Sequence, residues 1–162
     1  MKLSVTIDAP DDSSDGNSKA NPDFNDPRIS EVLEEYLREI YPASKRYDTA
    51  EVSLTFMPPE EIRALNRDYR DVDEATDVLS FPMIDETAGM PEGMPLMLGD
   101  IVICPEEVSR LHPELSEREA MCLMIAHSFL HLLGYDHRTE DEQAEMWAKQ
   151  DEISRRLLEV LE

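Results

Sequence analysis

Residues 116–137 read SEREAMCLMIAHSFLHLLGYDH and combine a long apolar run with three histidines. Its first part is apolar nearly all the way round a helix, which predicts a central buried helix. Ser116 and Glu119 have the spacing of a capping box at the start of that helix, and Gly134 suits its end. Two imidazoles in such a helix, His127 and His131, would be costly to desolvate unless something binds them.

The histidine spacing predicts a metal site. His127 and His131 are four residues apart, so both imidazoles leave the same helix face about one turn apart. Gly134 permits a left-handed turn that folds the chain back and brings His137 to the same point. Three neutral imidazoles leave one coordination position open, as in catalytic zinc sites. We therefore predict one zinc ion per chain, although imidazole also suits nickel, copper and iron.

The pattern H-x3-H-x2-G-x2-H also matches the metzincin peptidases, so a three-histidine geometry like theirs is expected. In that pattern the residue after the first histidine is the glutamate that acts as general base. Here that residue is Ser128, which cannot act as a base at neutral pH. Because zinc lowers the pKa of bound water to about 7 without help, hydrolysis remains possible, but peptide hydrolysis is disfavoured.

The rest of the chain predicts an α+β fold, a small four-stranded mixed sheet packed with about four to five helices. Alternating or β-branched runs predict strands at LSVTID (3–8), AEVSLTFM (50–57), DVLSFPMI (77–84) and LGDIVIC (98–104). Apolar periodicity and proline starts predict helices at RISEVLEEYLREIYP (28–42), PPEEIRALNRDYR (58–70), PEEVSRL (105–111), the stretch at 116–134, and from about Thr139 to the end.

Length and composition predict a single domain over residues 1–162, with an acidic loop at about residues 9–27. We expect no secretory signal and no membrane span, because the apolar runs are too short. Cys104 and Cys122 are too few and too far apart for a disulfide framework, which favours a reducing cytoplasm.

The formal net charge of −22 argues against a surface that binds nucleic acid generally, so an RNA partner would need a local positive patch. Arg63, Arg67 and Arg70 form the densest such patch, on one stripe of the second predicted helix. Ile62, Leu65 and Tyr69 are expected to face the core from the opposite side.

The stretch HSFLHLLGYDH (127–137) resembles the signature of the YbeY family, the metal-dependent single-strand endoribonucleases of bacterial ribosomal RNA maturation. Two further blocks, LNRDYRDVDEATDVLSFP (65–82) and LGDIVIC (98–104), follow the family's order. The resemblance implies a zinc-dependent endoribonuclease that matures the 3′ end of small-subunit ribosomal RNA and acts in ribosome quality control. Family members usually have glycine after the first histidine, so Ser128 is a departure that we expect to be tolerated.

The resemblance also implies roles for individual residues. Arg70 matches the family's functional arginine beside the metal, where a guanidinium fork would hold phosphate oxygens. Ser80 and Phe81 would line the cleft and meet a sugar or base. Asp136 is expected either to orient an imidazole or to cap the turn. Arg63 and Arg67 are weaker candidates for RNA contact, and His112, with no partner at ligand spacing, is expected to be a surface histidine.

Two alternatives remain open at the level of sequence. One is a metallohydrolase of peptides or small molecules, and the other is a non-catalytic ribosome-assembly factor with a structural metal. The expected partners are single-stranded ribosomal RNA and the small ribosomal subunit. The acidic surface would suit docking to a basic ribosomal protein or to a GTPase.

Overall fold

The structure is a computed structural model that describes residues 2–8, 26–84 and 93–162. Its strands and helices follow one another along the chain as β1 Lys2–Asp8, α1 Pro27–Ile40, a short 3-10 helix Pro42–Arg46, β2 Thr49–Phe56, α2 Pro59–Arg70, β3 Val78–Pro82, β4 Leu96–Ile103, α3 Pro105–Leu111, α4 Glu117–Leu132 and α5 Glu140–Leu161. In the described residues, no helix combines the length and apolar character needed to cross a membrane.

The four strands form one mixed sheet in the order β1-β2-β4-β3. Strands β1, β2 and β4 are parallel, and β3 joins the edge of β4 in the antiparallel direction, with Val78 opposite Ile103 and Pro82 opposite Gly99. For the described ranges, the α+β class and the four-stranded mixed sheet with five α-helices are therefore confirmed. Apart from Asp26 and Pro27, the predicted acidic loop at 9–27 lies outside the described residues, and Pro27 already belongs to α1.

Helix α4 is buried on most of its surface, because ten of its sixteen residues are buried. The predicted capping box is present: the Glu119 backbone N–H donates to Ser116 Oγ at 3.2 Å, and the Ser116 N–H donates to Glu119 Oε1 at 3.1 Å. The helix packs against α5, β3 and β4. These contacts fix the position of its last two turns, which carry His127 and His131.

Gly99 of β4 lets the sheet edge approach the end of α4. Its φ is +140°, and a Cβ at this position would overlap the carbonyl oxygen of Phe81 and crowd the side chain of Leu132. Any larger residue would push β3 and the end of α4 away from β4. Glycine here therefore lets both the edge strand and the histidine-bearing helix pack closely on β4.

Two expectations about single residues are wrong. Tyr69 does not face the core: Ile62, early in α2, is fully buried, but residues 67–70 form an exposed last turn and Tyr69 is 69% exposed. His112 is not an isolated surface histidine, because it is half-buried and its Nε2 lies 3.2 Å from Asp77 Oδ2. The chain places the end of α3 beside the start of β3, which local sequence could not indicate.

Candidate metal centre and cleft

Three imidazoles converge at the end of α4. His127 and His131 lie one turn apart, and the helix ends in a tight turn in which Gly134 has φ +98°. The Tyr135 N–H donates to Leu130 O at 3.0 Å and the Gly134 N–H donates to His131 O at 3.1 Å, which closes the turn. One ligand nitrogen from each of His127, His131 and His137 lies within 4.8 Å of the other two.

The hydrogen bonds of two imidazoles define which nitrogens face one another. His131 Nδ1 lies 3.0 Å from the carbonyl oxygen of Tyr135, which can only accept, so Nδ1 carries the hydrogen. His127 Nδ1 is placed in the same way, 2.7 Å from Gln150 Oε1 on α5. The two Nε2 atoms are left 3.1 Å apart.

The surroundings of His131 favour its neutral form. Burial, and secondly the neighbouring His127, lower the pKa of His131 below its ordinary value. Two neutral Nε2 lone pairs at 3.1 Å repel each other unless a cation or a proton lies between them. Nitrogen donors with their Nδ1 atoms hydrogen-bonded to oxygen are the usual arrangement around a transition metal. The donor set therefore fits a metal ion bound by three histidines.

The histidines form one wall of a cleft with a volume of about 790 Å³. Residues of β3 and of the last turn of α2 also line this cleft. The residues that line the cleft are Tyr69, Arg70, Thr76–Pro82, His127, His131 and Gly134–His137. Ser80, Phe81 and Asp136 thus lie in the same cleft as the histidines, as does Arg70.

The three arginines of α2 differ in their surroundings. Arg63 Nε lies 2.9 Å from Asp73 Oδ1, and Arg67 Nε lies 3.3 Å from Asp68 Oδ1, and neither lines the cleft. Arg70 lines the cleft and forms no salt bridge with any residue in the described ranges. Among the three, only Arg70 lines the cleft that the histidines share.

Asp136 and Ser128 each follow or precede a histidine in the sequence, but their surroundings differ. Asp136 Oδ1 accepts the backbone N–H of His137 at 2.7 Å, which lowers the pKa of the carboxyl, and Oδ2 lies 2.7 Å from Arg138 Nε. Of the two roles expected for Asp136, these contacts favour capping the turn.

Ser128 is fully buried and does not line the cleft, and its Oγ has no hydrogen-bond partner within the described part of the chain.

Helix α5 supplies two residues of the site that the sequence did not predict. Gln150 holds His127, and the Trp147 ring lies one turn earlier, with its centroid 6.0 Å from His127 and 5.7 Å from His137. Their spacing of three residues places both on one helix face. That spacing was the only local sign that Trp147 and Gln150 belong to the site, and it is a weak sign in a helix with so many charged residues.

The chain is similar in sequence to known proteins. The family model described as Endoribonuclease YbeY matches residues 16–158. An Endoribonuclease YbeY of Bacillus cereus (strain B4264) is 43% identical over 145 residues, covering 81% of this chain and 92% of the relative. One from Halalkalibacterium halodurans is 41% identical over 139 residues, covering 77% and 86%.

A solved structure agrees with this similarity. The solution structure of protein TM1509 from Thermotoga maritima is 28% identical, has a TM-score of 0.51, and is matched over 95% of this chain and 89% of that protein. The family match covers most of the chain and includes the three histidines and Arg70. The chain therefore belongs to the YbeY endoribonuclease family.

Proposed function

We propose that this protein is a zinc-dependent, single-strand-specific endoribonuclease that matures the 3′ end of small-subunit ribosomal RNA and acts in ribosome quality control. The observation that carries the proposal is one cleft that is lined both by three converging imidazoles and by Arg70, an arginine without a salt-bridge partner among the described residues. Family membership supports the choice of RNA as substrate.

His127, His131 and His137 would hold one zinc ion, in a geometry like that of the metzincins, with a position left open toward the cleft. Nickel, copper and iron suit the same nitrogen donors, and zinc is proposed for its common use in such sites. When bound, the ion supplies Lewis-acid stabilisation of charge on the scissile phosphate. The Tyr135 carbonyl and Gln150 orient two of the imidazoles, which keeps each Nε2 directed at the site.

Arg70 would bind the phosphate that is cleaved. A guanidinium fork can hold two phosphate oxygens at once, and the charge of those oxygens grows as the phosphodiester is attacked. Asp73 and Asp68 already neutralise Arg63 and Arg67, so those two side chains would contribute little. Ser80, on β3, would contact the ribose.

The acidic charge affects how RNA reaches the cleft. A net charge of −22 repels phosphate at long range. Because only a few positive side chains would contact the phosphates, the binding of free RNA would be weak and would depend on the salt concentration. We propose that the small ribosomal subunit, through a basic ribosomal protein or a GTPase, delivers the substrate in the cytoplasm. All of these parts are proposed to lie within one domain, residues 1–162.

The test of this assignment separates phosphate binding from metal binding. Arg70→Glu should abolish cleavage of labelled single-stranded RNA while bound metal stays near one equivalent per chain. Arg63→Glu is the matched control, because it makes the same charge change on the same helix outside the cleft. If Arg70→Glu cleaved RNA as fast as Arg63→Glu, the role of Arg70 would be wrong.

A further inference from the structure

Tyr69 is the most exposed of the large hydrophobic side chains in the described residues, at 69%, and it lines the cleft. Its ring centroid is 5.4 Å from that of Phe81 on β3, and the two rings meet edge to face at 73°. This edge contact braces the Tyr69 ring and still leaves much of its surface to solvent. Packing therefore does not explain a tyrosine here.

The neighbours of Tyr69 indicate what its ring would meet. Arg70 follows it directly, and both line the cleft that the three histidines share. A phosphate held by Arg70 would place the attached nucleotide close to the Tyr69 ring. An exposed aromatic ring beside a phosphate-binding guanidinium is the combination that proteins use to hold unpaired nucleotides.

We propose that Tyr69, braced by Phe81, is a stacking platform for one unpaired base next to the cleaved bond. The inference rests on the proposed endoribonuclease function and deepens it, because it names what the cleft recognises besides phosphate. A base in a duplex has both faces covered by its neighbours, so the platform accepts single strands and rejects paired RNA. Stacking is also less sensitive to salt than phosphate contacts, which matters in a protein as acidic as this one.

The first test replaces the ring. Tyr69→Ala should raise the KM for a short single-stranded RNA roughly tenfold to a hundredfold, with metal content and kcat much less affected. Tyr69→Phe and Tyr69→Trp should keep the KM near that of the unaltered protein, since they retain a ring without the hydroxyl. Leu111→Ala, which removes another exposed apolar side chain outside the cleft, is the control.

The second test changes the RNA instead of the protein, so its main result does not depend on how a variant folds. A single abasic nucleotide is moved along the RNA, and one position beside the cleaved bond should raise KM as Tyr69→Ala does. With Tyr69→Ala, that abasic site should cause little further loss. If the unaltered protein cleaves RNA but no abasic position and no Tyr69 variant changes KM, the platform is wrong and the nuclease function stands. If the unaltered protein cleaves no RNA, the proposed function itself is wrong.

Discussion

His127 Nδ1 lies 2.7 Å from Oε1 of Gln150, a residue 23 positions later in the chain. This bond joins α5 to the histidine helix and fixes which nitrogen of His127 faces the other imidazoles. It makes the last helix part of the proposed metal centre. Trp147, the only tryptophan in the chain, lies close enough to two of the histidines to report on the site by fluorescence.

We predict that Gln150→Ala weakens zinc binding roughly 10- to 100-fold, because His127 loses the partner that orients its ring. Affinity would be measured by competition with a chelator, with Trp147 fluorescence as the signal. Gln150→Glu should bind zinc at least as well as the unaltered protein, since a carboxylate accepts the same hydrogen bond. Gln143→Ala, an exposed site on the same helix, is the control. Equal affinity in Gln150→Ala and Gln143→Ala would contradict this role.

The two serines of the α4 segment should respond to alanine with opposite signs. Ser128 Oγ is buried without a hydrogen-bond partner in the described ranges, so Ser128→Ala should raise the free energy of unfolding by about 1 kcal/mol. Ser116 caps the same helix, so Ser116→Ala should lower it by about 1 kcal/mol. Urea denaturation measures both changes. A destabilised Ser128→Ala would show that the hydroxyl has a partner after all.

Both cysteines should be unreactive in the folded protein. Burial raises the pKa of Cys122 to about 12, and burial also raises the pKa of Cys104. The thiolate is the reactive form, so at pH 8 each thiol is almost entirely protonated as well as inaccessible. Ellman's reagent should therefore detect both thiols in denaturant and almost none under native conditions. Rapid reaction of either thiol in the native protein would contradict the packing described above.

The features that were predicted correctly from the sequence are those that depend on residues close together in the chain. The capping box of Ser116 and Glu119 could be predicted because the two residues are three positions apart. The α+β class could be predicted because each strand and helix has its own local pattern. The same is true of the three converging histidines, whose helix and glycine turn lie within eleven residues.

Contacts between distant segments were not predictable in the same way. Tyr69 has the periodicity of a core residue, but α2 extends past the residues that cover its first turns, so the ring is exposed. The pairing of His112 with Asp77 spans 35 residues, and that of His127 with Gln150 spans 23. Neither pairing has a local pattern, because each depends on how the sheet and α5 place separate segments side by side.

The central claim is that RNA is cleaved at the three-histidine cleft, and cleavage by the unaltered protein and by His131→Ala tests it most directly. Zinc-loaded protein should cut a labelled single-stranded RNA internally, should lose that activity with a chelator and regain it with zinc, and should leave casein intact. His131→Ala should remain folded by circular dichroism yet bind zinc weakly and cut no RNA. Equal cleavage by His131→Ala would contradict the account, since the activity would then lie outside this site.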